Sequence, residues 1–421
     1  MLDPLVIVRT LHFAACTVAM GTVAFALLAA SAAGRARLAG YAAIERRFRG
    51  LALVALAVAG VSGLLWLVLI ARNILDVPLE AVFDDGGFAL VASETRFGRI
   101  AGLRFVLSAV AMGLLLGKRP GWPALVTAAV LMASIALTGH AGAGTGTTGI
   151  IHNTSDVVHL VAAGVWLGSL PALAWLLLWS RGDPARGDGA AFVTRRFGVI
   201  ALVAVIALTL SGIVNTAILA GLPSDPFATT YGRALALKVA LFAAMLALAA
   251  VNRFGITPKL PRPTALRALA GTAAAETALG FGVLLLVGLL GLLPPAGHVH
   301  SSSAAINPNA VFVHIHTSDV MVDLTVESGR AGLARATVHL WHEDYRPYAA
   351  DRVVLTLEAQ NSAGPAVSRD AVQDSDGVWV VDELRIQTGG AWAARVAIQR
   401  GGTTLVLDGL LVLAQCSNEC R

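Results

Sequence analysis

The stretch VVHLVAAGVWLGSLPALAWLLLW, residues 157–179, decides the fold. His159 is its one ionisable residue, and it exceeds the ~20 residues that cross a hydrocarbon core of about 30 Å. Comparable apolar runs lie at 4–33, 51–71, 99–117, 122–138, 197–220, 234–251 and 268–293, so eight membrane spans are expected. The composition agrees. Of 421 residues, 56% are hydrophobic and only 14% charged, against about 25% charged in an ordinary soluble domain. A soluble enzyme and a disordered chain are both excluded.

The apolar bias stops near Pro294-Pro295. Residues 1–297 carry a net charge of +10, and residues 298–421, with no lysine, a net charge of −5. The basic excess lies in loops of the apolar part and gives no reason to invoke nucleic acid. After the break, VFVHIH (311–316), VMVDLTV (320–326), ATVHLW (336–341), VVLTL (353–357), VWVV (378–381), AARVAI (393–398) and LVL (405–407) are rich in β-branched residues between Gly, Pro, Asn and Asp. Short strands at this spacing point to a β-sandwich of roughly 110 residues. The expected architecture is therefore an all-α polytopic bundle of eight transmembrane helices (1–297), a tether (298–309), a small all-β sandwich domain (310–415) and a tail (416–421). No solenoid-type repeat is evident.

Lys and Arg near span ends favour the cytoplasm. Arg35, Arg37, Arg46, Arg47 and Arg49 follow the first span; Lys118 and Arg119 follow the third. Arg181, Arg186, Arg195 and Arg196 follow the fifth, and Arg253, Lys259, Arg262 and Arg267 follow the seventh. The intervening loops are acidic or nearly free of Lys and Arg. This alternation puts both termini and the β region outside the cytoplasm. The start, Met1-Leu-Asp-Pro, lacks the basic n-region of a secretory signal, so the first span reads as a retained helix. Pro171 is expected to kink the fifth span.

Ionisable groups at membrane depth are costly and are functional candidates by default. His12, His140, His152 and His159 all fall toward the outer side in this topology. His152, Asp156 and His159 share one helix face if the fifth helix already covers them. His12, Cys16 and Met20 form a stripe at i, i+4, i+8 that drifts by about 80°. Imidazole, thiolate and thioether are ligand types that suit copper, sulfur selecting Cu(I); packing alone would also explain Cys and Met in an apolar helix. Lys238 and Glu276 are candidates to pair inside the bundle, as a structural ion pair or as a relay. Asn215 and Asn252 read as helix–helix hydrogen-bonding groups. In the β region His314-Ile-His316 puts two imidazoles on one strand face, with His339 or His342 as a third ligand for copper or zinc. His298 and His300 lie in the tether. Cys416 and Cys420 are candidates for a disulfide or a soft metal clip, the alternative being a disordered tail. The glycine-rich loop 140–151 lacks the Lys and Ser/Thr of a phosphate loop, so no nucleotide is expected.

Arg9-Thr-Leu-His12, Asp156-Val-Val-His159-Leu-Val-Ala-Ala-Gly-Val-Trp-Leu-Gly-Ser-Leu, Arg196-Phe-Gly, Tyr231-Gly-Arg-Ala-Leu-Ala-Leu-Lys238, Val251-Asn-Arg and Glu276 together resemble the CopD family of copper resistance and copper transport membrane proteins. Ser169 stands where that family commonly has a second glycine, and the fused N-terminal CopC-like domain of some relatives is missing. Residues 308–414 resemble a YtkA-like or FixH-like domain more loosely. The resemblance implies a bacterial inner-membrane protein, not an enzyme, that moves copper inward from the periplasm. A separate CopC-like chaperone is an implied partner, beside the lipid bilayer and the ion itself. Two other readings stay open: a bis-histidine haem protein that moves electrons, and a copper sensor or assembly factor without transport. No Walker motif or Asp-Lys-Thr motif supports ATP-driven pumping.

Overall fold

The computed structural model describes residues 3–75, 77–117, 121–138, 146–220, 227, 230–293, 311–316, 320–327, 332–342, 347–359, 366–374, 377–386 and 390–413. The chain divides into two compact units, Met1–Gly297 and His298–Arg421. His140, the tether with His298 and His300, and Cys416 and Cys420 lie outside the described residues, as do the side chains of His314 and His316.

The first unit is helical: α1 (Pro4–Ala29), α2 (Ala32–Arg37), α3 (Tyr41–Leu75), α4 (Gly87–Glu94), α5 (Arg96–Leu116), α6 (Trp122–Ala133), α7 (Gly146–Trp166), α8 (Leu170–Ser180), α9 (Pro184–Ala220), α10 (Thr230–Ala250) and α11 (Pro263–Leu290). Caps mark the starts that the sequence signals. The Asp3 carboxylate accepts from the Leu5 N–H at 2.7 Å ahead of Pro4, and the Thr95 hydroxyl oxygen accepts from the Gly98 N–H at 2.9 Å. Among the described residues, seven helices are long and apolar enough to cross a membrane, not the expected eight. The exception is Trp122–Thr138. There α6 gives way to a 3-10 turn at Ala136–Thr138. The Arg104 guanidinium of α5 takes the Ser134 carbonyl at 2.9 Å and also reaches the Ser134 and Thr138 hydroxyls. The same Ser134 carbonyl accepts from the Leu137 N–H, and the Thr138 N–H bonds to the Ile135 carbonyl, both in the 3-10 pattern.

The fifth span breaks before Pro171. A 3-10 turn, Leu167–Ser169, joins α7 to α8, and Pro171 occupies the first turn of α8, where its missing N–H costs nothing. At this break α1 and the α7 segment touch backbone to backbone. A Cβ on Gly21 would stand 2.0 Å from the Gly168 carbonyl carbon and 2.5 Å from the Gly164 carbonyl oxygen; one on Gly168 would stand 1.9 Å from the Thr17 carbonyl oxygen. The Ser169 hydroxyl lies 2.9 Å from the Gly21 carbonyl oxygen and donates across the contact. Small residues are what allow such approach in lipid, where apolar burial drives little. Apolar residues of α5, α9 and α10, among them Phe105, Val203 and Val239, face outward.

The second unit is antiparallel: β1 (Val311–His316), β2 (Met321–Glu327), β3 (Gly332–Trp341), β4 (Arg352–Ala359), β5 (Val367–Gln373), β6 (Trp379–Ile386), β7 (Gly390–Arg400) and β8 (Thr403–Leu413). The sheet order is β1-β2-β3-β6-β5-β4-β7-β8. It folds into two layers about a core of Val322, Leu324, Val338, Leu355, Val396, Leu407 and Leu411. Gly409 leaves room for Ile315, whose Cδ1 would lie 2.6 Å from a Cβ there. Strand β5 was not expected, because VSRDAVQ buries only Ala371. It is held from outside by the β4 ladder, with Arg352 forked onto Asp370 at 2.6 and 3.0 Å.

Gly168→Leu is expected to destabilise the membrane unit beyond the about 1–3 kcal/mol of ordinary overpacking, because backbone and not a flexible side chain lies in the way. Gly102→Ala, with open space at its Cβ, serves as the control. Thermal aggregation midpoints in detergent compare them; equal midpoints would contradict the glycine contact.

Candidate functional site

His12 is 1% exposed, on the face of α1 that meets α3. Its Nδ1 lies 3.0 Å from the Ala59 carbonyl oxygen, an acceptor only, so Nδ1 carries the proton and Nε2 keeps its lone pair. That Nε2 faces the Cys16 Sγ at 3.7 Å, one turn further along α1. Ser62 Oγ is 3.4 Å from Nδ1, and Gly63 leaves space for the ring edge, with Cε1 3.1 Å from where its Cβ would be. Trp66 meets the imidazole edge-on at 5.6 Å and lies within 5.4 and 5.3 Å of the Arg9 and Arg104 guanidinium carbons. The Arg104 charge acts on both His12 and Cys16.

His159 has a matching setting between α7 and α9. Its Nδ1 lies 3.1 Å from Ser211 Oγ, with Leu208 supplying a backbone partner. Gly212 leaves space for the ring, its Cβ position lying 3.3 Å from Cε1. Asp156, one turn earlier on α7, accepts from Asn215 Nδ2 at 3.3 Å. Lys238 of α10 is half-buried.

The two settings are copies of one pattern. Laying Arg46-Arg47-Phe48 of α3 on Arg195-Arg196-Phe197 of α9 also lays Ala59 on Leu208, Ser62-Gly63 on Ser211-Gly212, and Trp66 on Asn215. Laying His12 on His159 lays Arg9 on Asp156, Thr17 on Gly164 and Gly21 on Gly168. Laying Phe97-Gly98-Arg99 of α5 on Tyr231-Gly232-Arg233 of α10 lays Arg104 on Lys238. Two counterpart pairs make the counterpart contact: imidazole on Ser-Gly, and residue 9 on 66 as 156 on 215. The glycine crossing is itself reciprocal. Gly21 meets Gly168, its own counterpart, while Gly21 on Gly164 mirrors Gly168 on Thr17. That reciprocity is the mark of a two-fold relation, here a parallel repeat with its axis between α1 and α7. The repeat has no solenoid period, so a search for such periods does not reveal it, nor Arg104, Ser62 and Ser211. The doubled Arg-Arg-Phe…Ser-Gly spacing was the available signal.

Other expected residues fall elsewhere. Met20 lies apart from His12 with its thioether against Gly164 of α7, its Sδ 2.6 Å from that Cβ position; the drift of the stripe carries it to another helix. His152 is buried near the start of α7. Among the described residues Lys238 and Glu276 form no ion pair. Glu276 of α11 is buried and accepts from Asn252, which lies in a π-helical turn after α10 (Val251–Ile256); Thr272 donates to Asn252. Among the described residues, no three His, Cys, Asp or Glu side chains gather closely enough to hold an ion.

In the β unit, register sets His314 opposite Asp323 and Asp323 opposite His339, one row across β1, β2 and β3; His316, Met321 and Trp341 form the next row. Trp341 Nε1 donates to Asp323 at 3.1 Å and its ring lies parallel to His339. His342 packs against Tyr348. Burial holds the His339 imidazole below its ordinary value of 6.5, with Asp323 and Asp374 opposing. The unfolded chain therefore binds the proton first, and β-unit stability falls as pH drops below 6.5. His339→Gln is expected to flatten that decline between pH 7.5 and 5.5, read in the full chain by pulse proteolysis in urea. An unchanged slope would remove His339 as its source.

Comparisons with known proteins follow this geometry. The family described as "Copper resistance protein D" matches residues 191–290, and "Copper resistance protein D-like, N-terminal domain" matches residues 1–150. The chain is 31% identical over 210 residues to "Inner membrane protein YebZ" of Escherichia coli (strain K12), covering 48% of the chain and 70% of that protein. It is 32% identical over 175 residues to "Copper resistance protein D" of Pseudomonas syringae pv. tomato, covering 39% and 56%. It is 35% identical over 167 residues to "Copper transport protein CutJ" of Bacillus subtilis (strain 168), covering 39% and 29%.

Proposed function

The chain belongs to the copper resistance protein D family, and from that premise we propose that its membrane unit binds copper(I) between His12 and Cys16 and passes it across the inner membrane, inward from the periplasm. The observation that carries this reading is the free Nε2 of His12 facing the Cys16 sulfur at 3.7 Å. An ion bonded to both, with lengths like those of zinc sites, about 2.0 Å to nitrogen and 2.3 Å to sulfur, would subtend roughly 120°. Imidazole and thiolate are a soft pair that selects Cu(I).

Binding requires the thiolate, so Cys16 gives up its proton as the ion arrives. The copper(I)–thiolate unit is neutral and tolerates Arg104, which a bare ion on neutral ligands would not. Ala59 fixes the ring so that Nε2 points along the helix, as supporting partners commonly do for metal-bound histidine.

The alternating Arg-rich loops support an orientation with both termini and the β unit on the periplasmic side. In that orientation His152, near the start of α7, lies toward the outer side. The row of His314, Asp323 and His339, with His316 beside it, is the position for first capture of copper, delivered free or by a CopC-like chaperone. The whole is a carrier and not an enzyme.

Copper(I) titration of purified protein against a competing chelator tests the reading. His12→Ala and Cys16→Ser are each expected to weaken binding by more than the about 10–100-fold that loss of a merely supporting group costs. Wild-type affinity in both variants would remove the site.

A further inference from the structure

One end of the membrane unit holds a pocket that the repeat leaves open in its first copy and closes in its second, and we propose that this pocket binds the phosphate diester of an anionic membrane lipid. It is lined by Ala43, Arg46 and Arg47 of α3 and by Trp175 and Trp179 of α8, with a volume of about 480 Å³. The assignment is independent of the copper reading.

The two Arg-Arg-Phe copies are finished differently. In the second copy Arg195 donates to the Leu260 carbonyl at 2.8 Å and Arg196 to the Ser31 hydroxyl oxygen at 3.3 Å. The Phe192 ring lies 4.3 Å from the Arg37 guanidinium carbon and 5.7 Å from that of Arg196. Laying Arg46 on Arg195 lays Ala43 on Phe192, so the first copy has a methyl group where the second has a ring. That methyl borders the pocket. Among the described residues neither Arg46 nor Arg47 has a hydrogen-bond or ion-pair partner. The acids beside them are engaged elsewhere: Glu45 holds Arg49 and Asp183 holds Arg186, each at 3.2 Å. Two guanidiniums, charged under all conditions in a protein, therefore border a space that their counterparts do not have.

The other wall is aromatic. Trp175 and Trp179 stack with centroids 5.8 Å apart, and Phe48 meets Trp175 edge-on at 5.8 Å. Arg47 lies 5.9 Å from the Trp175 ring, and Arg186 lies over Trp179 at 4.2 Å. Helix α8 ends the membrane-crossing stretch Gly149–Ser180, which sets these indoles at the level where tryptophan favours the headgroup region. Guanidiniums match phosphate oxygens in geometry as well as charge. Basic pockets between membrane helices on the cytoplasmic side hold anionic headgroups, and the orientation proposed above puts this end there. The volume falls within the about 300–1,000 Å³ of small-ligand sites. A lipid phosphate diester suits both walls, its oxygens the guanidiniums and its glycerol carbons the indole faces. Inorganic phosphate shares the anion and lacks the apolar part.

Native mass spectrometry of the full chain in detergent, titrated with phosphatidylglycerol or with phosphatidylcholine of the same chains, provides the test. The wild type is expected to retain one phosphatidylglycerol with about tenfold preference over phosphatidylcholine, and excess inorganic phosphate is expected not to displace it. Arg46→Gln with Arg47→Gln removes both guanidiniums, and Ala43→Phe fills the pocket as Phe192 fills its counterpart. Each change is expected to weaken phosphatidylglycerol retention about tenfold and to leave the thermal aggregation midpoint in lipid-free detergent unchanged. Arg35→Gln with Arg267→Gln, an equal loss of charge outside the pocket, is expected to retain the lipid as the wild type does. Equal retention of the two lipids by the wild type, wild-type retention in both pocket variants, or equal weakening in the two double variants would overturn the site. Displacement of the lipid by inorganic phosphate would overturn the lipid as its occupant.

Discussion

The approach of α1 to the α7 segment is the constraint on which the membrane unit depends. Gly21, Gly164 and Gly168 bring two backbones within van der Waals range, and the Ser169 hydroxyl adds a hydrogen bond across the gap. In lipid the apolar side chains gain little by meeting one another, so packing and interhelical hydrogen bonds must supply the specificity. Because Gly21 meets its own counterpart Gly168, the contact lies on the pseudo-two-fold axis and sets the relation of the halves. The serine in place of a glycine at 169 is part of this contact and has no bearing on ligand chemistry.

That relation explains why the histidines are held in two places. With α1 and α7 back to back at the axis, His12 turns to α3 and His159 to α9, each against a Ser-Gly step that leaves room for a ring. A single cluster of imidazoles would require the two helices to present their histidines to each other, and the glycine faces already occupy that side. The same arrangement places Arg104 against Trp66, which meets the His12 ring edge-on. Two frames built alike can then diverge side chain by side chain without disturbing the packing they share.

The β unit follows a different logic. Its strands bury alternate residues between two layers, and the register row of His314, Asp323 and His339 follows from backbone pairing alone. Strand β5 illustrates the limit of patterning. A strand that buries one residue in seven has almost no hydrophobic signal, and its place comes from backbone pairing with β4 and the Arg352–Asp370 pair.

Hydropathy and charge are sums over about twenty neighbouring residues, so the amino-acid sequence alone determined the membrane spans, the break near residue 297, the sandwich and the individual ligand candidates. Of the eight expected spans, Trp122–Thr138 is shorter than the other seven helices, and its end tightens into a 3-10 turn beside Arg104 from another helix. Pairings at long range were decided only by the tertiary structure: His12 with Ala59 and Ser62, His159 with Ser211, Glu276 with Asn252, and Met20 turned to Gly164. Each depends on which helix faces cross, and that is set by a few glycines nearly 150 residues apart whose contact no local window contains.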